Sequence, residues 1–301
     1  MEIRNGIDWR RKAGLRKAWN RVPRKHQTGA NLSMPTIDLG AALGSVGLKA
    51  NGADDCTAVL RDCIKQASRS KLASTVTIPE AVGGVGRGPI PGVRLTEPIS
   101  LPARVSLEGL STSGGSVLVV DHDDVGIHVS AFGNTIERLQ LKAADMRIPH
   151  AAIEIFASDA AGVQGSYFTA RDIQINSGPW TLGILVDGTR KVNNPIGVRA
   201  LHFENVRTFD TIEASLYAKN TVSMTLSGWR AHRGRGVKSD IIIDGAWTVL
   251  GTNLATNGDL IVRNTKTGAF GSVVANRVRR WAKGNTRVAW GAISAGEVVM
   301  K

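Results

Sequence analysis

An all-β solenoid is the fold class this sequence predicts. Short β-type runs, each closed by Asn or Gly, recur through the second half of the chain. One amphipathic helix precedes them, and no other clear helix follows until near the C-terminus. The composition fits many tight turns around an aliphatic core: 34 glycines, 42% hydrophobic residues and only 5% aromatics.

The helix is read over about 55–69. Asp54 or Asp55 serves as its N-cap, accepting from free backbone N–H groups of the first turn. Cys56, Val59, Leu60, Cys63, Ile64 and Ala67 then recur at three- and four-residue steps and give one apolar stripe. A helix in this place covers the open end of a β-stack, whose backbone groups and core would otherwise face water. The two cysteines lie about 10 Å apart along the helix at ~1.5 Å per residue, too far for a disulfide. They read as core residues.

Before the helix lies a basic arm, residues 1–34. Residues 1–25 carry nine Lys/Arg against Glu2 and Asp8, +7 of the chain's net +13. Trp9 and Trp19 sit among Arg10, Arg11, Arg16 and Arg21, and Pro23 ends any helix there. Tryptophan and arginine together favour docking onto a protein partner. No nucleic-acid motif accompanies the charge, so no nucleic-acid partner is expected. The opening Met-Glu-Ile-Arg-Asn lacks the apolar core of a signal peptide, and no run reaches the ~18 apolar residues of a membrane span. Synthesis in a cytoplasm without export is the expectation.

Residues 35–75 read as a linker with a first small strand, followed by the helix, and 76–276 as the solenoid. Thr135–Leu141, Ala170–Asn176, Arg199–Val206 and Asn220–Gly228 give strand pairs or strands, continued at Asp240, Asp259 and Ser272. With Phe203, Met224, Ile242 and Ile261 as anchors the steps are 21, 18 and 19 residues. Asn176, Asn205, Asn220 and Asn264 close strands, where asparagine tolerates the left-handed turn. Residues 277–301 depart from the rhythm and read as a C-terminal cap or an oligomer contact.

Gly52-Ala53-Asp54-Asp55 with its helix, then Val76–Pro79, Leu95–Ile99 and Val105–Gly109, resembles the opening of pectate-lyase-like parallel β-helix proteins. The version found in bacteriophage tailspikes and related virion proteins is the most similar. The resemblance is specific over about 50–110 and is carried by coil rhythm to about 276. It implies a right-handed parallel β-helix, commonly trimeric, with an N-terminal segment that attaches to the particle.

Glycan-cleaving members of that fold need carboxylates, in hydrolases a pair about 5–9.5 Å apart. Polygalacturonase-type signatures are absent. Val119-Val120-Asp121-His122-Asp123 faintly resembles a pectate lyase motif, but Arg147-Ile148-Pro149 lacks its second arginine. Asp172, Glu204 and Asp210 are the weak catalytic candidates, and Asp121, Asp123 and Asp124 the weak metal candidates. No cofactor is implied. Arg230, Arg233, Arg235, Arg279 and Arg280 are candidates for contact with an anionic ligand or a neighbouring subunit.

The expected function is that of a bacteriophage virion structural protein. It would be a short trimeric β-helix spike, fibre or decoration subunit, docked through its arm and contacting host glycan or another virion protein. The alternative is a polysaccharide hydrolase or lyase of the same fold.

Overall fold

The computed structural model describes residues 34–83, 89–111, 115–129, 132–156, 166–188, 198–232, 239–256, 259–264, 272–280, 284–290 and 296–300. The body is a parallel β-helix with three sheet faces, as the strand rhythm predicts. The first sheet stacks Thr36–Asp38, Ser74–Ile78, Val105–Gly109, Phe132–Glu137, Ser166–Arg171 and Arg199–Glu204. It continues through the later halves of Thr211–Ser227 and Ser239–Thr252 to Ser272–Arg280. The second sheet stacks Val93–Leu95, Val117–Val120, Gln140–Ala143, Gln174–Asn176, Arg207–Phe209, Arg230–His232 and Ala255–Thr256. The third runs from Ile99–Leu101 through Ile127–Val129, Ala151–Phe156 and Trp180–Asp187. It reaches Asp259–Asn264 through the earlier halves of the two long strands. Every one of these pairings is parallel, and inward residues such as Leu107, Ile136, Ala170 and Phe203 are fully buried.

Helix α1 (Leu39–Ser45) and helix α2 (Thr57–Ser68) lie at the N-terminal end. Cys56, Leu60, Cys63, Ile64 and Ala67 of the α2 stripe are buried in the common core, with Val59 packed beside it. Asp55 accepts from the Thr57 backbone N–H at 3.0 Å and from its hydroxyl at 2.6 Å. The N-cap position itself is Cys56, which makes no side-chain capping bond, so neither Asp54 nor Asp55 is the cap and Asp55 braces the first turn from one residue earlier. Both cysteines are free and buried. Helix α1 is not foreseen in the sequence, where 35–50 reads as linker. It is too short for a periodic signature, and Asp38 starts it by accepting from Gly40 and Ala41 N–H at 2.8 and 3.2 Å.

The anchor spacing differs from the expectation. Leu201 pairs with Met224, Met224 with Val249 and Val249 with Val273, so the first-sheet steps are 23, 25 and 24 residues. Ile242 pairs with Tyr217 and Ile261, on the third sheet. The 19-residue step from Ile242 to Ile261 is thus one true coil of that sheet, whereas the 18-residue step from Met224 to Ile242 crosses from the first sheet to the third.

One corner is built alike in successive coils. Arg138, Asp172, Asn205 and Asn253 are left-handed, with φ of 54°, 53°, 51° and 54°, and Gly228 takes φ 67° at the equivalent place. Four of the five donate their N–H to the carbonyl just before the next coil's corner: Arg138 to Arg171, Asp172 to Glu204, Asn205 to Ser227 and Gly228 to Thr252. Asn220 is also left-handed, at φ 48°, whereas beside Asn176 it is Ser177 that takes the turn. At the other end of the body the parallel order stops. Gly284–Trp290 pairs antiparallel with Ser272–Arg280, and Gly296–Met300 antiparallel with Asp259–Asn264. These two strands cover edges that would otherwise be open.

Candidate functional site

The outer surface of the first sheet carries a row of charges in register. Glu108 pairs across to Glu137, Glu137 to Arg171 and Arg171 to Glu204. Like charges on neighbouring strands would repel. Arginines separate them instead. Arg138 bonds Glu108 and lies 3.5 Å from Glu137, and Arg171 lies 3.5 Å from Glu137 and 3.1 Å from Glu204. His202 is 3.7 Å from Glu204 and hydrogen-bonds Thr225 at 2.5 Å.

Of the three catalytic candidates, the structure brings two near each other. Asp172 donates its N–H to the Glu204 carbonyl, so they occupy adjacent coils at one corner. Their side chains are already engaged: Glu204 with Arg171, and Asp172 with the Asn205 amide at 2.5 Å. Asp210 sits at the opposite end of the Arg207–Phe209 strand, in a left-handed turn whose carbonyl accepts from Trp180. A glycosidase needs two carboxylates flanking a sugar, one of them free to donate a proton. These three do not make that arrangement.

The metal candidates are likewise spoken for. Asp121 accepts from Arg94 Nε at 2.8 Å and from Arg147 Nε at 3.0 Å. Burial favours its neutral form, but the two guanidiniums outweigh burial and hold its carboxyl below the usual range. Asp123 accepts from the Ile148 N–H, and Asp124 from the Val125 N–H. Among the described residues no group of three ligating side chains could hold a metal ion.

The second sheet is different. Its outward row reads Gln140, Gln174, Arg207, Arg230 and Ala255, in register from coil to coil. Arg207 and Arg230 are exposed on adjacent strands, about 4.8 Å apart in the ladder, and neither pairs with a carboxylate among the described residues. A hollow of about 450 Å³ opens beside them, lined by Asp172, Ile173, Gln174, Asn205 and Arg207. Phe209 and His232 follow the arginines on the same two strands and stack at 4.5 Å and 4°. Burial, with the positive charge of Arg230 and Arg207, pushes His232 below its usual pKa. Its ring lies face to face on that of Phe209.

Arg230 is thus the sequence candidate that the structure sets in a site. Arg207 was missed, because 23 residues separate it from Arg230 and only the register joins them. Arg279 and Arg280 lie on the strand facing Ala255 and Thr256. Arg233 and Arg235, and the arm residues Trp9, Arg10, Arg11, Arg16, Trp19 and Arg21, lie outside the described residues.

No family model matches the chain, and no curated protein matches it. Among solved structures it is similar to an iota-carrageenase complexed to iota-carrageenan fragments, at 14% identity and TM-score 0.38. That match covers 87% of this chain and 62% of the carrageenase. Similarity also extends to ORF18 of Geobacillus virus E2, at 10% identity and TM-score 0.36, over 84% of this chain and 63% of that one. An exopolygalacturonase from Thermotoga maritima matches at 10% identity and TM-score 0.25, over 89% of this chain and 96% of that one. The chain thus spans under two thirds of the length of the carrageenase and the viral protein.

Proposed function

We propose that this chain is a bacteriophage particle subunit whose β-helix body contacts an anionic surface glycan through the Arg207–Arg230 strip. The observation that carries the glycan contact is the contrast between the two outer surfaces. On the first sheet every carboxylate of the row has a guanidinium or imidazole beside it. On the second, two adjacent arginines have no carboxylate partner among the described residues and stand next to a hollow and an aromatic pair. Guanidinium forks suit carboxylate or sulfate groups, and stacked rings suit the apolar faces of sugars. The particle assignment rests on the tailspike-like opening over about 50–110 and on the basic, tryptophan-bearing arm. In this reading the body is a homotrimer and the arm attaches it to another virion protein.

The test is calorimetric titration with sulfated or uronate oligosaccharides and with neutral ones of the same length. Binding confined to the anionic set, weakened by salt and lost in an Arg207→Ala/Arg230→Ala double variant, is expected. Equal binding of neutral chains, or shortening of the polysaccharide, would sink the proposal in favour of a depolymerase. For the particle role, light scattering should give a trimer that survives removal of residues 1–30, and the truncated protein should fail to join particles.

A further inference from the structure

A different surface carries a chemistry that the glycan contact does not use. Ser100, His128 and Glu154 stand at outward positions on three successive strands of the third sheet, in direct register. Glu154 Oε2 lies 2.6 Å from His128 Nδ1. Glu154 is only 7% exposed although it points away from the core. A buried carboxylate on Nδ1 fixes the imidazole tautomer with the proton on Nδ1 and leaves Nε2 as the basic nitrogen. The two ring nitrogens face nearly opposite ways. Ser100 stands on the strand at the other side of His128, about 4.8 Å away in the ladder.

Ser100 itself is exposed and lines a hollow of about 450 Å³ between helix α2 and the first strand of this sheet. That volume admits a small ligand. Arg61, at its rim, is committed to Glu97 and to the Pro98 carbonyl at 2.9 Å. Lys65 lines the same hollow and brings positive charge to it. Ser100 and His128 are not hydrogen-bonded here; such contacts often tighten only when substrate is bound.

We propose that Ser100, His128 and Glu154 form a serine esterase site for short acyl esters, such as an O-acetyl group on a sugar. Ser100 Oγ attacks the ester carbonyl carbon while His128 Nε2 takes its proton. The tetrahedral intermediate, its oxyanion faced by the Lys65 ammonium, collapses with cleavage of the ester C–O bond. The departing alcohol takes the proton from His128. Water, deprotonated by the same nitrogen, then attacks the acyl-serine, which releases the carboxylic acid and restores the Ser100 hydroxyl. Nothing is oxidised or reduced, and the site is separate from the Arg207–Arg230 strip.

The full-length protein should hydrolyse p-nitrophenyl acetate, and a fluorophosphonate probe should add one mass increment, mapped to Ser100. Ser100→Ala, a change on an exposed position, should keep the fold by circular dichroism and abolish both signals. His128→Gln should lower kcat/KM by about 10²–10⁴-fold. Turnover that survives Ser100→Ala, or an adduct on any other residue, would overturn the assignment. So would the absence of both adduct and turnover in the folded wild-type protein.

Discussion

The Asn205 amide donates to Asp172 Oδ1 at 2.5 Å while both residues hold left-handed backbone, at φ 51° and 53°. The pair ties two successive coils at a corner where the chain must reverse out of the first sheet. Asn is among the few residues that accept this conformation at low cost. Asn205→Ala should therefore lose both the backbone tolerance and the amide bond, about 1–3 kcal/mol together. Asn205→Gly, which restores the backbone freedom only, should recover part of the loss. Urea denaturation of the three proteins gives the comparison, and an Ala variant as stable as wild type would refute the corner's role.

Gly109 occupies the strand end beside the equivalent corner of an earlier coil. A Cβ there would lie 1.9 Å from the Arg138 carbonyl oxygen, a backbone atom that cannot rotate away. Gly109→Ala should cost more than about 4 kcal/mol, or prevent soluble folding, because two coils would have to separate. Gly44→Ala in helix α1, where nothing lies within 4 Å, should be neutral or stabilise by about 0.5–1 kcal/mol. Thermal unfolding of both variants measures the difference between a coil contact and an open helix position.

Inside the solenoid, Phe168, Phe203 and Trp229 follow one another with ring centroids 6.0 and 5.6 Å apart. Trp229 also carries a polar atom into the core. Its Nε1–H donates to Ser215 Oγ at 2.9 Å, and Ser215 shares a 2.6 Å hydrogen bond with Thr208. Trp229→Phe keeps a ring against Phe203 but removes the donor and leaves a void. A loss of about 1–3 kcal/mol is expected, larger than an apolar trim alone. Combining Trp229→Phe with Ser215→Ala should cost less than the sum of the single changes, which a double-mutant cycle would read directly.

Local patterns in the chain carry the architecture well and the sites poorly. The α2 stripe and the Asn-closed strands are contiguous in sequence, so periodicity exposes them. Asn205 and Asn220 take the left-handed turns that their type suggests. Register is another matter. Which of Phe203, Met224 and Ile242 share a face depends on turn lengths that no local pattern states, so the anchor series crossed from one sheet to another. The same gap hides Arg207 beside Arg230, and His128 beside Glu154. Asp121 shows the reverse error: an acidic run suggests a cation, yet Arg94 and Arg147 supply the positive charge from 27 and 26 residues away.

That arrangement around Asp121 makes the protein sensitive to acid. Burial would raise its pKa, but the hydrogen bonds from Arg94 and Arg147 prevail and lower it from 3.8. A carboxyl with a depressed native pKa adds stability that is fully present above the unfolded value. That stability is lost as pH falls through the native one. Asp121 ties the second sheet to the Arg147 turn, so its protonation should loosen both. Asp121→Asn should lower the melting temperature at pH 7, and the gap to wild type should narrow steadily below about pH 4. Melts recorded at pH 7, 4 and 3 test this. A gap that stays constant across that range would mean the Asp121 charge contributes nothing to the pairing.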